Sequence, residues 1–161
     1  MKGRALQTAQ ASSPFMQTAP QGNFTAERMP RTRILMAEDN VINQRVGKLI
    51  LQRAGFEIDL VSDGVEAVEA HRANPYDLIL MDCQMPTMDG FEASRHIRHL
   101  GQKQPVIVAV TANAILGERE RCLSAGMDDY LSKPFQAEQL VAVVKRWLGP
   151  DGKGVSATPE Q

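Results

Sequence analysis

Cysteine is scarce in this chain. Its 161 residues hold two, Cys83 and Cys122, with no CxxC spacing between them. That excludes a disulfide scaffold, and both thiols sit in apolar stretches, as reduced buried cysteines do. No run of about 18 apolar residues occurs, so no segment reads as a membrane span. Met1–Phe15 carries Lys2 and Arg4 but no apolar core, so no signal peptide is expected. Neither sign of charge dominates: 18 Lys+Arg face 19 Asp+Glu, a net of −1. Such a balance argues against a broad nucleic-acid surface. No GxxxxGK[ST] loop, no Gly-rich ATP lid and no internal repeat is found. What remains is an ordinary globular composition, 43% hydrophobic and 23% charged, of about one domain's length and expected in the cytoplasm.

Composition divides the chain in three. Residues 1–32 set Lys2, Arg4, Arg28 and Arg31 against Glu27, a net of +3, in a Gln-, Thr-, Ala-, Ser- and Pro-rich stretch without apolar period. They read as a flexible tail or linker. Residues 150–161 read as a second loose tail at net −1. Residues 33–149 hold nearly all the aliphatic side chains and are long enough for a real core. Thirteen residues after Leu148 are too few for a helix-turn-helix, so direct DNA binding by this chain is not expected.

Within 33–149, strands and helices alternate. Arg33–Ala37, Glu57–Val61, Leu78–Asp82, Val106–Thr111 and Asp129–Lys133 read as strands. Ile42, Val46, Leu49 and Ile50 follow helical spacing, with Gly55 suited to the C-terminal cap. Ser62 or Asp63 can cap a helix carrying Val65 and Val68. Phe91–Leu100 reads helical up to Gly101, and Leu116–Ala125 up to Gly126. Pro134 breaks the chain before a helix striped by Leu140, Val143, Val144 and Trp147. Five βα units with apolar strand runs predict an α/β doubly wound sandwich on a parallel sheet. Ligands of such folds sit beyond the carboxyl ends of the strands.

Those ends carry the chemistry. Glu38 and Asp39 follow the first strand, Asp82 closes the third, Thr111 closes the fourth and Lys133 follows the fifth. Any one of them is ordinarily a solvated polar group. Recurrence at the same end of four of five strands makes a cluster. Packed carboxylates repel and need a cation, and oxygen ligands suit a hard ion such as Mg²⁺.

EDN at 38–40, MDCQMPTMDG at 81–90, TANA at 111–114 and YLSKPF at 130–135 resemble the receiver domain of two-component response regulators, most of all receivers of hybrid sensor histidine kinases. The likeness spans Arg33 to Leu148. It implies a flavodoxin-like (βα)5 fold with sheet order 2-1-3-4-5. It implies that Asp82 accepts a phosphoryl group, and that Asp39, Asp82 and the backbone carbonyl of Gln84 hold Mg²⁺ (or Mn²⁺), with Glu38 acting through water. Thr111 and Lys133 then bind phosphoryl oxygens, and small Ala112 leaves room for the donor. Tyr130 is the aromatic switch, turning inward when Thr111 moves. A cis bond precedes Pro134, and Gln84 and Asn113 tune the lifetime of the phosphate. The implied partner is a histidine kinase or a histidine phosphotransfer protein.

The residue types make chemical sense without the family. A carboxylate attacks a phosphoryl group only when charge is neutralised, which Lys133 and a metal do. Two rival readings are weaker. An aspartate-nucleophile phosphate hydrolase lacks its second acid, since Gln84 stands two residues after Asp82. A pseudo-receiver acting only as a binding module conflicts with a complete set of phosphorylation residues. His96 and His99 read as solvated helix residues rather than phosphodonors or metal ligands. Cys83 is expected to face away from Asp82 and pack. The helix after Thr111, with its thin apolar stripe, and the Tyr130 strand are the expected moving face.

Overall fold

A computed structural model describes residues 31–113 and 115–149. The tail readings for residues 1–32 and 150–161 lie outside the described residues, except for Arg31 and Thr32. Arg31 Nη1 donates to Glu57 Oε1 at 2.9 Å, both side chains being exposed.

The described residues form five βα units: β1 (Ile34–Ala37), α1 (Val41–Arg53), β2 (Ile58–Val61), α2 (Gly64–Ala73), β3 (Leu78–Asp82), α3 (Gly90–Arg98), β4 (Val106–Thr111), α4 (Glu118–Ser124), β5 (Asp129–Ser132) and α5 (Ala137–Leu148). The sheet is parallel in order β2-β1-β3-β4-β5. Central strands β1 and β3 are buried along their whole length, which is why they read as apolar runs rather than alternations.

Side-chain alternation sorts the core into two faces. Leu35, Ile79, Met81, Ile107 and Ala109 pack with Ala67 of α2, Phe91 and Ile97 of α3 and Cys122 of α4. Ile34, Met36, Leu80, Val108 and Val110 pack with Leu51 of α1 and Leu140, Val143 and Val144 of α5. Each fully buried leucine or isoleucine contributes roughly 1.5–3 kcal/mol.

Side chains cap three helices. Asn40 Oδ1 accepts from Ile42 N (2.9 Å) and Asn43 N (3.2 Å), Asp63 Oδ1 from Glu66 N (2.8 Å), and Asp89 Oδ1 from Glu92 N (2.8 Å). Of the two caps open for α2, Asp63 is the one used.

The positions spaced as a helix do lie on α1, but that face is largely open: Ile42 is 71% exposed, Val46 and Leu49 are 49% exposed, and the helix buries only Gly47 and Leu51. Gly47 has no side chain, and a Cβ there would lie 2.7 Å from Met36 Sδ, so α1 approaches β1 along that line. The helix after Thr111 starts at Glu118, with Leu116 in the preceding turn and fully exposed.

Candidate functional site

Register aligns the strand ends. Ala37 pairs with Met81, Asp82 with Val110, and Thr111 with Ser132, so the residues just beyond them share one rim. Continuing the alternation past β1 and β3 carries Glu38 and Asp82 toward the α1/α5 face. Cys83 and Thr111 fall on the α4 face.

Lys133 Nζ joins the two buried acids, donating to Glu38 Oε2 at 2.6 Å and Asp82 Oδ2 at 3.1 Å. Glu38 is 1% exposed and Asp82 6%. Glu38 Oε1 also accepts from Asn40 N (3.1 Å) and Asn43 Nδ2 (3.2 Å), and Gln84 N donates to Asp82 Oδ1 (3.0 Å). Carboxylate oxygens of Glu38, exposed Asp39 and Asp82 lie within 4.8 Å of one another. An all-oxygen donor set of this charge fits a hard divalent cation.

Burial pushes the Asp82 carboxyl above the usual carboxylate range. The Gln84 amide and the Lys133 charge oppose that shift without cancelling it. Burial by itself would pull Lys133 down, but its hydrogen bond to Glu38 and the Asp82 charge leave it above the usual lysine value, hence charged.

The backbone under Asp82 is held by α3. Gly90 N donates to Cys83 O at 3.2 Å, and a Cβ at Gly90 would lie 2.1 Å from Asp82 O. Only glycine permits this approach. The Lys133–Pro134 bond is cis, as the resemblance implies.

Thr111 is buried. Its hydroxyl accepts from Asn113 N (3.1 Å) and has two acceptors in reach, Glu118 Oε1 (3.3 Å) and Asn113 O (3.4 Å). Ala112, Asn113 and Gln84 are exposed at the rim. Tyr130 is 42% exposed and points outward rather than into the core. His96 and His99 are exposed and lie outside this cluster.

Two clefts flank Asp82. One, of about 430 Å³, is lined by Glu38, Asn43, Val46, Ala112, Lys133, Pro134 and Phe135. The other, of about 620 Å³, opens between Asp39, Gln84, Cys83, Glu118 and Arg121.

Three contributors were not legible in the sequence. Asn43 orients Glu38. Gln44 Nε2 ties Glu38 O (2.6 Å) to Val61 O (3.2 Å). Glu118 meets Thr111. Each looks like a solvated helix residue, and only the chain's return to the rim gives it a partner.

Comparison with known proteins agrees with this geometry. The response regulator receiver domain family matches residues 34–145. The chain is 39% identical over 156 residues to two-component system protein A of Emericella nidulans, covering 92% of this chain and 23% of that protein. It is 40% identical over 131 residues to the signal transduction histidine-protein kinase BarA of Escherichia coli, covering 79% of this chain and 14% of that one. The chain thus spans less than a quarter of the length of these relatives.

Among solved structures, it resembles the receiver domain of a Pseudomonas aeruginosa sensor histidine kinase with a magnesium ion in its active-site cleft. Identity is 45% and TM-score 0.67, over 74% of this chain and 98% of that one. It also resembles the receiver of the Saccharomyces cerevisiae response regulator Ssk1, co-crystallised with the histidine phosphotransfer protein Ypd1 (32% identity, TM-score 0.69, 73% and 89% covered). From its five-stranded topology, its acid–lysine rim and a family match across most of its length, the chain belongs to the response regulator receiver family and is a phosphorelay receiver domain.

Proposed function

We propose that Asp82 is the phosphoacceptor and that the chain takes its phosphoryl group from a phosphohistidine on a partner protein. The observation that carries this is the Lys133 ammonium placed on both Asp82 and Glu38 at the ligand-binding edge of the sheet. An Asp82 oxygen attacks phosphorus, the P–N bond breaks, and the electron pair leaves with the imidazole. Lys133 offsets charge on one side of the phosphoryl group. The Thr111 hydroxyl, neutral and on the α4 face, reports a phosphoryl oxygen by hydrogen bonding. Asp39, Asp82 and the Gln84 carbonyl would hold Mg²⁺ or Mn²⁺, with the Glu38 carboxylate close by. The cation would supply further neutralisation of the phosphoryl charge. Exposed Gln84 and Asn113 stand where water approaches and set the lifetime of the acyl phosphate.

The donor docks on the α1 side. Val41, Ile42, Val46 and Leu49 form an exposed apolar strip that continues into the cleft beside Lys133, Pro134 and Phe135. Ala112, at the mouth of that cleft, leaves the imidazole room. A histidine phosphotransfer protein or a histidine kinase fits this surface, and the receiver co-crystallised with Ypd1 supports the pairing. The chain is a phosphoacceptor that assists its own labelling and hydrolysis. The much longer kinase relatives support an origin in a hybrid sensor histidine kinase.

Exposure to acetyl phosphate and Mg²⁺ tests the assignment. One phosphoryl group per chain should appear by intact mass, and Asp82→Asn should remove it without altering the fold. Labelling retained in Asp82→Asn would exclude Asp82. Rapid multiple turnover of a phosphate ester would indicate a hydrolase instead.

A further inference from the structure

We propose that Cys83, Cys122 and Glu118 form a second cation site, for a thiophilic divalent ion such as Zn²⁺. Residues from three places in the sequence converge here. Cys83 follows the phosphoacceptor, and alternation along β3 turns it to the face opposite Asp82. Cys122 is the one residue of α4 that is buried, and Glu118 opens the same helix. Both sulfurs and a Glu118 carboxylate oxygen lie within 4.8 Å of one another.

The donor set differs in kind from the all-oxygen rim. Two sulfurs and one carboxylate suit zinc, whose bonds of about 2.3 Å to sulfur put neighbouring thiolates roughly 3.8 Å apart. Closing from the observed spacing needs shifts on the order of 1 Å, in a helix that buries one of its seven residues. The fourth position faces a way in: Cys83 and Glu118 both line the cleft of about 620 Å³ that opens beside Arg121. Two thiolates and a carboxylate around a divalent ion leave one surplus negative charge. The Arg121 guanidinium, stacked 4.1 Å from the Phe91 ring, stands beside the site to offset it. Zinc binds the thiolate form of cysteine, so binding releases the two thiol protons to solvent.

The site connects to the switch through one atom pair. Thr111 Oγ1 donates to Glu118 Oε1 at 3.3 Å. A cation that draws the Glu118 carboxylate toward the two sulfurs competes with Thr111 for it and weakens this long hydrogen bond, which favours release of the hydroxyl to a phosphoryl oxygen. Occupancy of the two sites is therefore mutually reinforcing, and linkage makes the effect reciprocal. This coupling rests on the role proposed for Thr111. The binding itself does not.

Co²⁺ is the probe, titrated into the full chain under a phosphine reductant with saturating Mg²⁺ on the oxygen rim. The chain has only two cysteines, so a sulfur-to-cobalt charge-transfer band can arise nowhere else. One equivalent should bind with that band and with the d–d bands of a tetrahedral site. Cys83→Ser or Cys122→Ser should weaken binding at least tenfold and diminish the band. Glu118→Gln, a half-exposed change that spares the fold, should weaken it about tenfold. Asp39→Asn should leave the band unchanged, and beryllofluoride should tighten Co²⁺ binding several-fold. No band in the folded wild type would overturn the site and leave the thiols as packing groups. A band indifferent to Glu118→Gln would overturn the three-ligand assignment. Unchanged Co²⁺ affinity with beryllofluoride would overturn the coupling. Labelling of Asp82 by acetyl phosphate is read separately, so a failure of the phosphoacceptor assignment would be visible on its own.

Discussion

On the α1/α5 side of Asp82 the polar groups are tied down. Lys133 bridges two buried acids, Asn43 and Asn40 hold Glu38, and α5 buries Leu140, Val143, Val144 and Leu148 behind them. On the other side, α4 has seven residues and buries one of them. Its N-terminus is capped by Gly117, with a φ of 96° and no side-chain hydrogen bond. Thr111 shares its hydroxyl among loosely spaced partners there, and Tyr130 lies open to solvent. On the function proposed above, the two halves of one rim would divide the work: the fixed half would receive the phosphoryl group and the weakly held half would rearrange when it arrives. Switching elements come from the least stable parts of a fold. A shift from minor to dominant conformer takes on the order of a few kcal/mol, within reach of one charge-assisted hydrogen bond and one lysine contact.

The contrast should survive mutation. Leu140→Ala, on the fixed side, is expected to lower unfolding free energy by about 2–5 kcal/mol. Cys122→Ala, the nearest equivalent on α4, should cost about 1 kcal/mol. Urea melts of both variants measure the difference, and equal losses would erase the distinction. Lys133→Ala leaves Glu38 and Asp82 buried without their counter-charge. In metal-free buffer it should cost on the order of 3 kcal/mol, and Mg²⁺ should recover part of that loss if the acids hold a cation.

Smaller effects sharpen the picture. His71 is fully buried: its Nδ1 accepts from Tyr76 N at 3.0 Å, and Nε2–H donates to Lys103 O at 3.1 Å. Burial, with the nearby positive charges of Arg98 and Lys103, lowers its pKa below 6.5. The unfolded chain therefore takes up this proton before the folded one does. The His71 contribution to stability is complete above about pH 6.5 and falls as pH drops below it. Melts of wild type and His71→Gln between about pH 8 and pH 5 should show a weaker pH slope in the variant.

Ile42→Ala lies on the exposed α1 strip and should change stability by about 0.5 kcal/mol or less. It should still slow phosphotransfer from a protein donor while leaving acetyl phosphate labelling intact. Slowing of both reactions would move the docking surface elsewhere.

The sequence made most of the rim legible because strand ends advertise themselves: a continuous apolar run stops, and a polar residue follows. That rule picks out Glu38, Asp82 and Thr111, whereas Lys133 follows the mixed stretch Asp129–Ser132 and is marked by its place before Pro134. Helical periodicity was less informative. Ile42, Val46 and Leu49 repeat as a core stripe does, and periodicity cannot tell a face covered by the sheet from one left open at the surface. Glu118 and the Cys83–Cys122 juxtaposition were illegible for another reason. They depend on where α4 lands after the β4 loop, and no local pattern encodes that distance.

The division between a fixed and a movable half is tested most directly by an amide chemical-shift map of the chain with Mg²⁺, before and after beryllofluoride. The largest changes should run from Thr111 through α4 to Tyr130, with Val41–Arg53 and the α5 core nearly still. Thr111→Ala should still bind the mimic at Asp82 but show a weaker response across 112–130. An unchanged map from Thr111 to Tyr130 in the wild type, or changes concentrated on α1 and α5, would contradict the account.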